Sequence, residues 1–369
     1  MSHLTVTAHT TSRYSRGLSL IELLVALAIS GVLVLGAAEV YVGSRNAYNQ
    51  NETVSRLQET ARYALSIIET DARMANNWGL MQNSPPITGA ATQGSPLAAV
   101  ANSAAANICG QNFATDVTNF LQADNNRYQL STNASKQAGC DSLSGWGTLA
   151  VATADTLTVR HASILPALAT PGTLQLCSTQ SNASLISTGA CPLAVLPPIV
   201  QRINNVIVNA YYIDQNSAQQ NGLPSLRRKS LTSIGGAISW QDQEIVAGVE
   251  DMQVEFGIDP GTNTGTATRY VEPNDPILAV ASTQIVAIRV WLMVRSDTPE
   301  AGFVDGRPPY VYADRALANG TTYDLNIAAN ASMAYRPNLD PNTTLTGLMR
   351  YRRLLVSRTI QIRNTYRTS

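Results

Sequence analysis

The stretch RGLSLIELLVALAISGVLVLGAA, residues 16–38, decides how this chain is built. From residue 18 onward it is an apolar run of about 21 residues. As an α-helix, such a run crosses a hydrocarbon core of ~30 Å. Glu22 lies inside the run, although a charged side chain within a bilayer costs about 2.5–3.5 kcal/mol on insertion scales. The stretch therefore predicts a membrane helix whose carboxylate needs a partner.

The residues before the run indicate its orientation. Arg13 and Arg16 precede it, and the first 17 residues contain no acidic side chain. Basic residues on this side predict a cytoplasmic amino end, with residues 39 onward outside the inner membrane. An ordinary secretory signal, cleaved near the small residues 36–38, is one interpretation. A simple signal anchor is a second, and it leaves Glu22 unexplained.

A third interpretation uses Gly17. Cleavage after this glycine makes Leu18 the mature amino terminus and Glu22 the fifth mature residue. The spacing resembles the class III signal of type IV pilins, with Leu18 standing where Phe is most common in that family. The resemblance implies that prepilin peptidase cuts after Gly17 and methylates the Leu18 amine.

The new amino terminus supplies a partner for Glu22. A free α-amine has a pKa of about 7.7–8, so it is mostly protonated at neutral pH. Two opposite charges are tolerated in a low-dielectric environment when they are paired and hydrogen-bonded. We expect Glu22 to neutralise either its own terminal amine or that of a neighbouring subunit in a filament. A protonated, isolated glutamate is the alternative.

The helix is expected to continue well beyond the apolar run. Residues 39–76 contain no proline, and apolar residues recur there at steps of three and four, as in Val54, Leu57, Ala61, Ala64 and Ile68. We therefore predict a leader over 1–17 and one helix over 18–76. The membrane half of this helix is 18–38 and its amphipathic half is 39–76. Gly79 and the SPPITG stretch are expected to end it.

Residues 77–369 are predicted to form an exported head. Six segments are rich in β-forming residues: TLTVRHA (156–162), GTLQLCS (172–178), NVIVNAYYI (205–213), VEDMQVEFGID (249–259), QIVAIRVWLMVRS (284–296) and RRLLVSRTIQIRN (352–364). Several alternate apolar with polar residues, which favours antiparallel strands with one solvated face. The fold class is α+β, a pilin-like long helix packed on an antiparallel sheet with long loops. Residues 81–155 are read as a loop-rich insertion, without regular structure as far as residue 106.

The four cysteines are Cys109, Cys140, Cys177 and Cys191, and no two form a CxxC pair. Outside the inner membrane disulfides persist, and four cysteines allow three connectivities. We favour Cys109–Cys140 and Cys177–Cys191, each closing a loop-rich segment. Four free buried thiols are the alternative.

Further blocks resemble the PilW group of minor pilins. They are SRLQETARYALSIIETDARMANNWG (55–79), NAYYIDQNSAQQNGLPSLRRKSL (209–231), QEIVAGVEDMQVEFGID (243–259) and IVAIRVWLMVRSD (285–297). The resemblance implies a role in type IV pilus assembly, within a tip-located priming complex. Its partners would be other minor pilins, the major pilin and a tip adhesin. The protein would lie in the inner membrane before assembly and in the pilus afterwards.

Two other functions stay open at this point. One is the J-type minor pseudopilin of type II secretion, which the PilW group resembles but which usually has a smaller head. The other is a membrane-anchored exported hydrolase or binding protein.

Little in the sequence points to catalysis. His3 and His9 fall in the expected leader, so His161 is the only histidine of the mature chain. No phosphate-binding loop, dinucleotide glycine pattern or multi-histidine metal site accompanies it. Equal numbers of basic and acidic residues, 25 each, give no basic excess for nucleic acid. We therefore predict a protein that is not an enzyme and uses no cofactor or metal.

Arginines accumulate at the carboxyl end. From Arg336 onward seven arginines stand against one acid, Asp340. They form either a docking face for an acidic partner or a solvated strand face.

Overall fold

The computed structural model describes residues 19–81, 87–91, 113–125, 151, 154–193, 200–261, 264–300, 302–305, 310, 312–313 and 350–364. The chain divides into two compact units, Met1–Thr53 and Val54–Ser369. Among the site residues predicted above, Gly17, Leu18, Cys109 and Cys140 lie outside the described residues, as do His3, His9, Arg13, Arg16, Arg336 and Asp340.

The predicted long helix is present as α1, Leu20–Met74. It is long and apolar enough in its first part to cross a membrane. The helix ends before Gly79, because Asn76 already adopts a left-handed backbone with φ of 63°. Asparagine tolerates this conformation better than most residues and commonly ends helices. The Asn76 side chain then donates to the carbonyl of Asn364, 2.7 Å away.

The amphipathic half of α1 buries the face that the sequence predicts. Its buried side chains recur every three or four residues: Leu57, Ala61, Ala64, Leu65, Ile68 and Ala72. Val54, at the start of this face, is half-exposed. The buried face packs in one apolar core with strands of both sheets described below. Burial of this face, worth about 25 cal/mol per Å² of apolar area, holds the helix to the head.

The first sheet contains eight strands among the described residues. They are β1 Ile87–Thr88, β2 Leu121–Asp124, β3 Thr156–Ala162, β4 Gln175–Ser178, β5 Ala183–Ile186, β6 Arg202–Asp214, β7 Ser225–Ile234 and β8 Ala237–Ala247. The order is β1-β5-β4-β6-β3-β2, with β7 paired to β6 and β8 paired to β7. All pairs are antiparallel except β1 with β5. The long strand β6 organises the sheet, since β4, β3 and β7 all pair with it.

The second sheet has the order β10-β9-β11-β12 and is antiparallel throughout. Its strands are β9 Val249–Asp259, β10 Arg269–Val271, β11 Gln284–Arg295 and β12 Arg353–Gln361. Ile288 of β11 lies opposite Phe256 on one side and Ile360 on the other. All three are buried in the core that contains the helix face. The predicted α+β class is therefore present.

The second face of β9 and β11 differs from the prediction. Alternation indicated a solvated face, yet Gln253 and Arg295 are buried. The Arg295 guanidinium lies over the Tyr351 ring, 4.5 Å from its centroid, and donates to the carbonyl of Gly222 at 2.7 Å. Neighbouring segments thus cover this face. At these positions a polar residue in the alternating sequence is a buried group with partners, and is not in contact with solvent.

The expectation of an unstructured segment up to residue 106 is also wrong in part. Ile87 and Thr88 pair with Ala183 and Ser184 of β5, and Ile87 is buried. A two-residue strand is too short to leave a periodic signal, so only its distant partner defines it. Further along, Phe113 and Leu121 are buried as well. The predicted insertion 81–155 therefore contributes to the core.

Candidate functional site

The amino end of α1 places Glu22 in a defined hydrogen-bonded turn. The backbone N–H of Ser19 donates to Oε2 of Glu22 at 2.9 Å. The Ser19 carbonyl accepts from the N–H of Leu23 at 3.1 Å, so Ser19 is the residue at which the helix begins. A glutamate at the third helical position that reaches back in this way forms half of a capping box. Its charge also lies at the positive end of the helix dipole.

This turn directs the carboxylate toward the place where a new amino terminus is expected. The amide nitrogen of Ser19 is bonded to the carbonyl carbon of Leu18, so the Leu18 nitrogen is only one residue away in the chain. Residues 17–38 contain no charged side chain besides Glu22. In an apolar setting a carboxylate needs an opposite charge.

Sequence reasoning missed the contribution of Ser19. The signal was available, because Ser-x-x-Glu ahead of an apolar run is the usual capping-box pattern. The functional motif in this stretch therefore includes Ser19 besides the cleavage pattern, because its backbone N–H orients the carboxylate of Glu22.

His161, the only histidine of the expected mature chain, belongs to a buried polar cluster between helix and sheet. Oδ2 of Asp71 accepts from Nδ2 of Asn209 and from the hydroxyl of Tyr211, both at 2.5 Å. Nε2 of His161 lies 3.8 Å from Oδ1 of Asp71, and Nδ1 lies 2.9 Å from the Ala162 carbonyl. The cluster therefore joins α1 to β3 and β6.

The electrostatics of this cluster favour an ionised Asp71. Burial raises the pKa of the Asp71 carboxyl, but the nearby His161 ring and the hydrogen bonds from Tyr211 and Asn209 outweigh it and hold the pKa below its usual value. Burial and the Asp71 charge raise the pKa of the Tyr211 hydroxyl well above its usual value, so it stays a donor. Because Asp71 stays ionised and Tyr211 stays a hydrogen-bond donor, we interpret the cluster as a structural attachment of α1 to the sheet.

Three of the described arginines of the carboxyl end are paired within the chain. Arg353 donates to both carboxylate oxygens of Glu250, at 2.7 and 3.2 Å, and both side chains are buried. Arg352 pairs with Glu300, and Arg358 pairs with Glu69 of α1. Burial lowers the pKa of Arg353, but Glu250 more than compensates and the pKa is raised. For the buried Arg353 neither a docking face nor a solvated face is the correct interpretation, whereas Arg358 is exposed on β12.

The structure contains the predicted Cys177–Cys191 disulfide, with a Cα–Cα distance of 5.8 Å. Cys177 lies in β4, and Cys191 lies beyond β5. The bridge closes the segment that carries β5. The second predicted pair, Cys109 with Cys140, lies outside the described residues and stays a prediction.

The long amino-terminal helix has an apolar first half with a glutamate in its first turn, and its amphipathic second half packs on antiparallel strands. These features together define a protein of the type IV pilin class. Comparison with known families agrees. Residues 12–38 match the model of the prokaryotic N-terminal methylation motif. Residues 210–364 match the model of the type IV pilus-assembly protein W.

The two matches support a PilW-type minor pilin with a class III signal, a structural component of the type IV pilus. The signal and the apolar helix fit a membrane-anchored pilin that enters the pilus. No curated protein and no solved structure gave a significant match.

Proposed function

We propose that this minor pilin takes part in a priming complex at the pilus tip, where it joins other minor pilins and starts polymerisation of the major pilin. Before assembly the amino end lies in the cytoplasm and the head in the periplasm. Prepilin peptidase cuts after Gly17 and methylates the Leu18 amine. The observation that carries the proposal is the Ser19–Glu22 turn, which lies inside the matched methylation motif.

The chemistry of the proposed step follows from that turn. Cleavage converts the Leu18 amide nitrogen into an ammonium group, beside a carboxylate that is already directed toward the helix start. The pair lets the amino end stay within the apolar helix bundle. A newly added subunit can then exchange its ammonium between its own Glu22 and that of a neighbour, which sets the longitudinal register of the helices.

The head supports a pilus component over a secretion pseudopilin. The PilW model matches residues 210–364, which include the carboxyl-terminal end of β6 and all of β7 to β12. The function proposed is assembly, with no catalytic step assigned to this chain.

The test removes the carboxylate and compares a matched control. Glu22→Ala should still be cleaved, because the site after Gly17 is intact, but should be at least about tenfold depleted from sheared pili, since an unpaired ammonium is left in the helix bundle. Glu39→Ala, which removes a carboxylate beyond the apolar run of the same helix, should behave as wild type. A priming role further predicts fewer fibres per cell with unchanged fibre length. Normal fibre number and normal incorporation of Glu22→Ala would contradict the proposal.

A further inference from the structure

The end of the head at which α1 finishes carries an ordered loop that has no part in the helix site. Within the head unit α1 runs from Val54 to Met74. Just beyond it, the carbonyl of Asn77 accepts from the N–H of Ala162 at 2.7 Å, so the end of β3 lies beside the helix exit. Residues 163–173 continue from β3 and lead to β4. This loop is therefore at the end of the head remote from Val54.

Hydrogen bonds hold this loop against the first residues of β6. The N–H groups of Ser163 and Ala167 donate to the carbonyls of Asn205 and Ile203, both at 2.8 Å. Nδ2 of Asn204 donates to the Ser163 carbonyl at 2.8 Å. Nε2 of Gln175 donates to the carbonyl of Leu168 at 2.7 Å. The backbone of the loop is thus fixed, and the exposure of its side chains is therefore determined by the fold.

Four aliphatic side chains around this anchored backbone point to solvent, and we name them the apolar patch: Ile164, Leu165, Leu168 and Val200. Their exposed fractions are 65%, 76%, 87% and 64%. Scattered single aliphatics are normal on a protein surface, whereas several exposed aliphatics grouped on one anchored loop indicate an interaction site. Three of the four lie within five consecutive residues of the loop, and Val200 precedes β6, on which the loop rests.

The base of the loop is fitted closely to a neighbouring turn. Gly172 has a φ of +75°, and a Cβ built there would lie 1.8 Å from the carbonyl oxygen of Gly236. Only glycine fits such a contact. Ile234, at the end of β7 and two residues before Gly236, is exposed as well. The turn between β7 and β8 therefore extends the apolar surface beside the loop.

The chain around the patch is unusually neutral. From residue 162 to residue 201 there is no Asp, Glu, Lys or Arg, and no Phe, Trp or Tyr. The Cys177–Cys191 disulfide ties this segment together. Protein–protein interfaces lose charge at their buried centres. Membrane-surface binding instead relies on basic side chains and interfacial aromatics, which this segment does not contain.

We propose that the apolar patch is the docking surface for an uncharged, aliphatic face of another pilus subunit. That subunit sits on the end of the head remote from Val54. The inference rests on the proposed function, because it takes the partner from the same complex. A neutral patch matches a neutral face, since a charged partner surface would lose its hydration without gaining an opposite charge.

A first experiment identifies what touches the patch in cells. The full chain carries the photo-crosslinker p-benzoylphenylalanine at Leu168, with the same group at Val280, an exposed valine before β11, as the matched control. We expect Leu168 to give a crosslink whose peptides belong to another processed pilin-class subunit, and Val280 not to give it. Crosslinks only to a second copy of this chain, only to lipid, or to nothing would each overturn the proposal.

A second experiment removes the chemistry of the patch. Leu165→Glu combined with Leu168→Glu places two charges where an aliphatic partner would sit, and both side chains are exposed, so folding is expected to be unaffected. Recovery of the crosslinked subunit with the detergent-solubilised full chain should fall about tenfold or more, while Val280→Glu retains it. Equal recovery with the patch variant would overturn the proposal. If Glu22→Ala still blocks assembly in that case, the patch assignment alone is wrong, whereas normal assembly of Glu22→Ala defeats the proposed function itself.

Discussion

Two carboxylates of α1 have specific partners at opposite ends of the helix. Glu22 accepts from the backbone of Ser19 in the first turn. Asp71, one turn before the helix ends, accepts from Asn209 and Tyr211 of the sheet. The first is fixed locally by four consecutive residues, and the second depends on residues far away in the chain. This difference decides which of them the sequence reveals.

Replacing Asp71 by Asn should weaken the attachment of the helix and remove an acid-sensitive contribution to stability. The folded pKa of Asp71 is depressed, so its stabilisation is fully present above the unfolded value of about 3.9 and is lost as the pH falls through the lower folded value. Near neutral pH we expect Asp71→Asn to lower the free energy of unfolding by about 1–3 kcal/mol.

The measurement is urea unfolding of the detergent-solubilised full chain by tryptophan fluorescence, at pH 7 and at several values between 5 and 2. The difference between wild type and Asp71→Asn should shrink toward the acid end. His161, Tyr211 and the more distant Arg228 face the carboxylate cluster and stay in place in the variant. A difference that is constant over this pH range would show that the charge of Asp71 does not stabilise the head.

At the scale of the element, the amphipathic half of α1 is the structural link between the anchor and the head. Ile68 has no exposed surface, while its neighbour Ile67 is only half-buried. Ile68→Ala should cost about 2–5 kcal/mol, because it opens a cavity between the helix and the strands. Ile67→Ala is the matched control, with the same atoms deleted one position away, and should cost clearly less. Thermal and urea unfolding of both variants give the comparison, and an equal or larger loss at Ile67 would disprove the assigned helix face.

The helix and strands show which secondary-structure elements local sequence patterns can predict. Period 3.6 over Leu57, Ala61, Ala64 and Ile68 identified the buried helix face, and β3 occupies the predicted residues 156–162. Both signals are local and repeat over several turns or pairs. The strand β1 has only two residues, which are too few to show a periodic hydrophobic pattern. Its pairing with β5 is therefore known only from the folded chain.

Buried charges were the other class of residue that the pattern misassigned. Glu250, Arg295 and Arg353 occupy polar positions in alternating strands, which indicates a wet face. In the structure they are buried, with Nη1 of Arg295 3.7 Å from Oε1 of Glu250 and Arg353 bound to the same carboxylate. Glu250 and Arg353 are 103 positions apart in the chain. No local pattern shows that such groups will be paired and covered.

Glu22 is the residue of the candidate site that the sequence marks most directly, and its pairing with the Leu18 amine stays a prediction. The residues of this site are consecutive, and both the cleavage pattern and the capping pattern are read at fixed spacing along the chain. The apolar patch was not predicted, because it combines Leu165 and Leu168 with Val200 across a loop, and exposure of aliphatic side chains has no sequence signature. The lack of charge around the apolar patch, in contrast, can be seen directly in the sequence of residues 162–201.

At the scale of the whole molecule, we assign different tasks to the two halves of α1 and to the head. The apolar half of α1 anchors the chain, its amphipathic half is fixed in the core of the head, and the head presents the neutral patch to a further subunit. The family matches fall on both ends of this arrangement, at residues 12–38 and 210–364. The central claim is that the mature chain begins at Leu18 after processing, since the Glu22 pairing depends on it.

The mass of the amino-terminal peptide of the mature protein tests that claim most directly. The chain is purified from membranes of cells that contain prepilin peptidase, digested, and its first peptide sequenced by mass spectrometry. The account predicts a peptide that begins at Leu18 and carries one methyl group on its amine. A first peptide that begins at Glu39, as after ordinary signal cleavage, or one that retains Gly17, would contradict it.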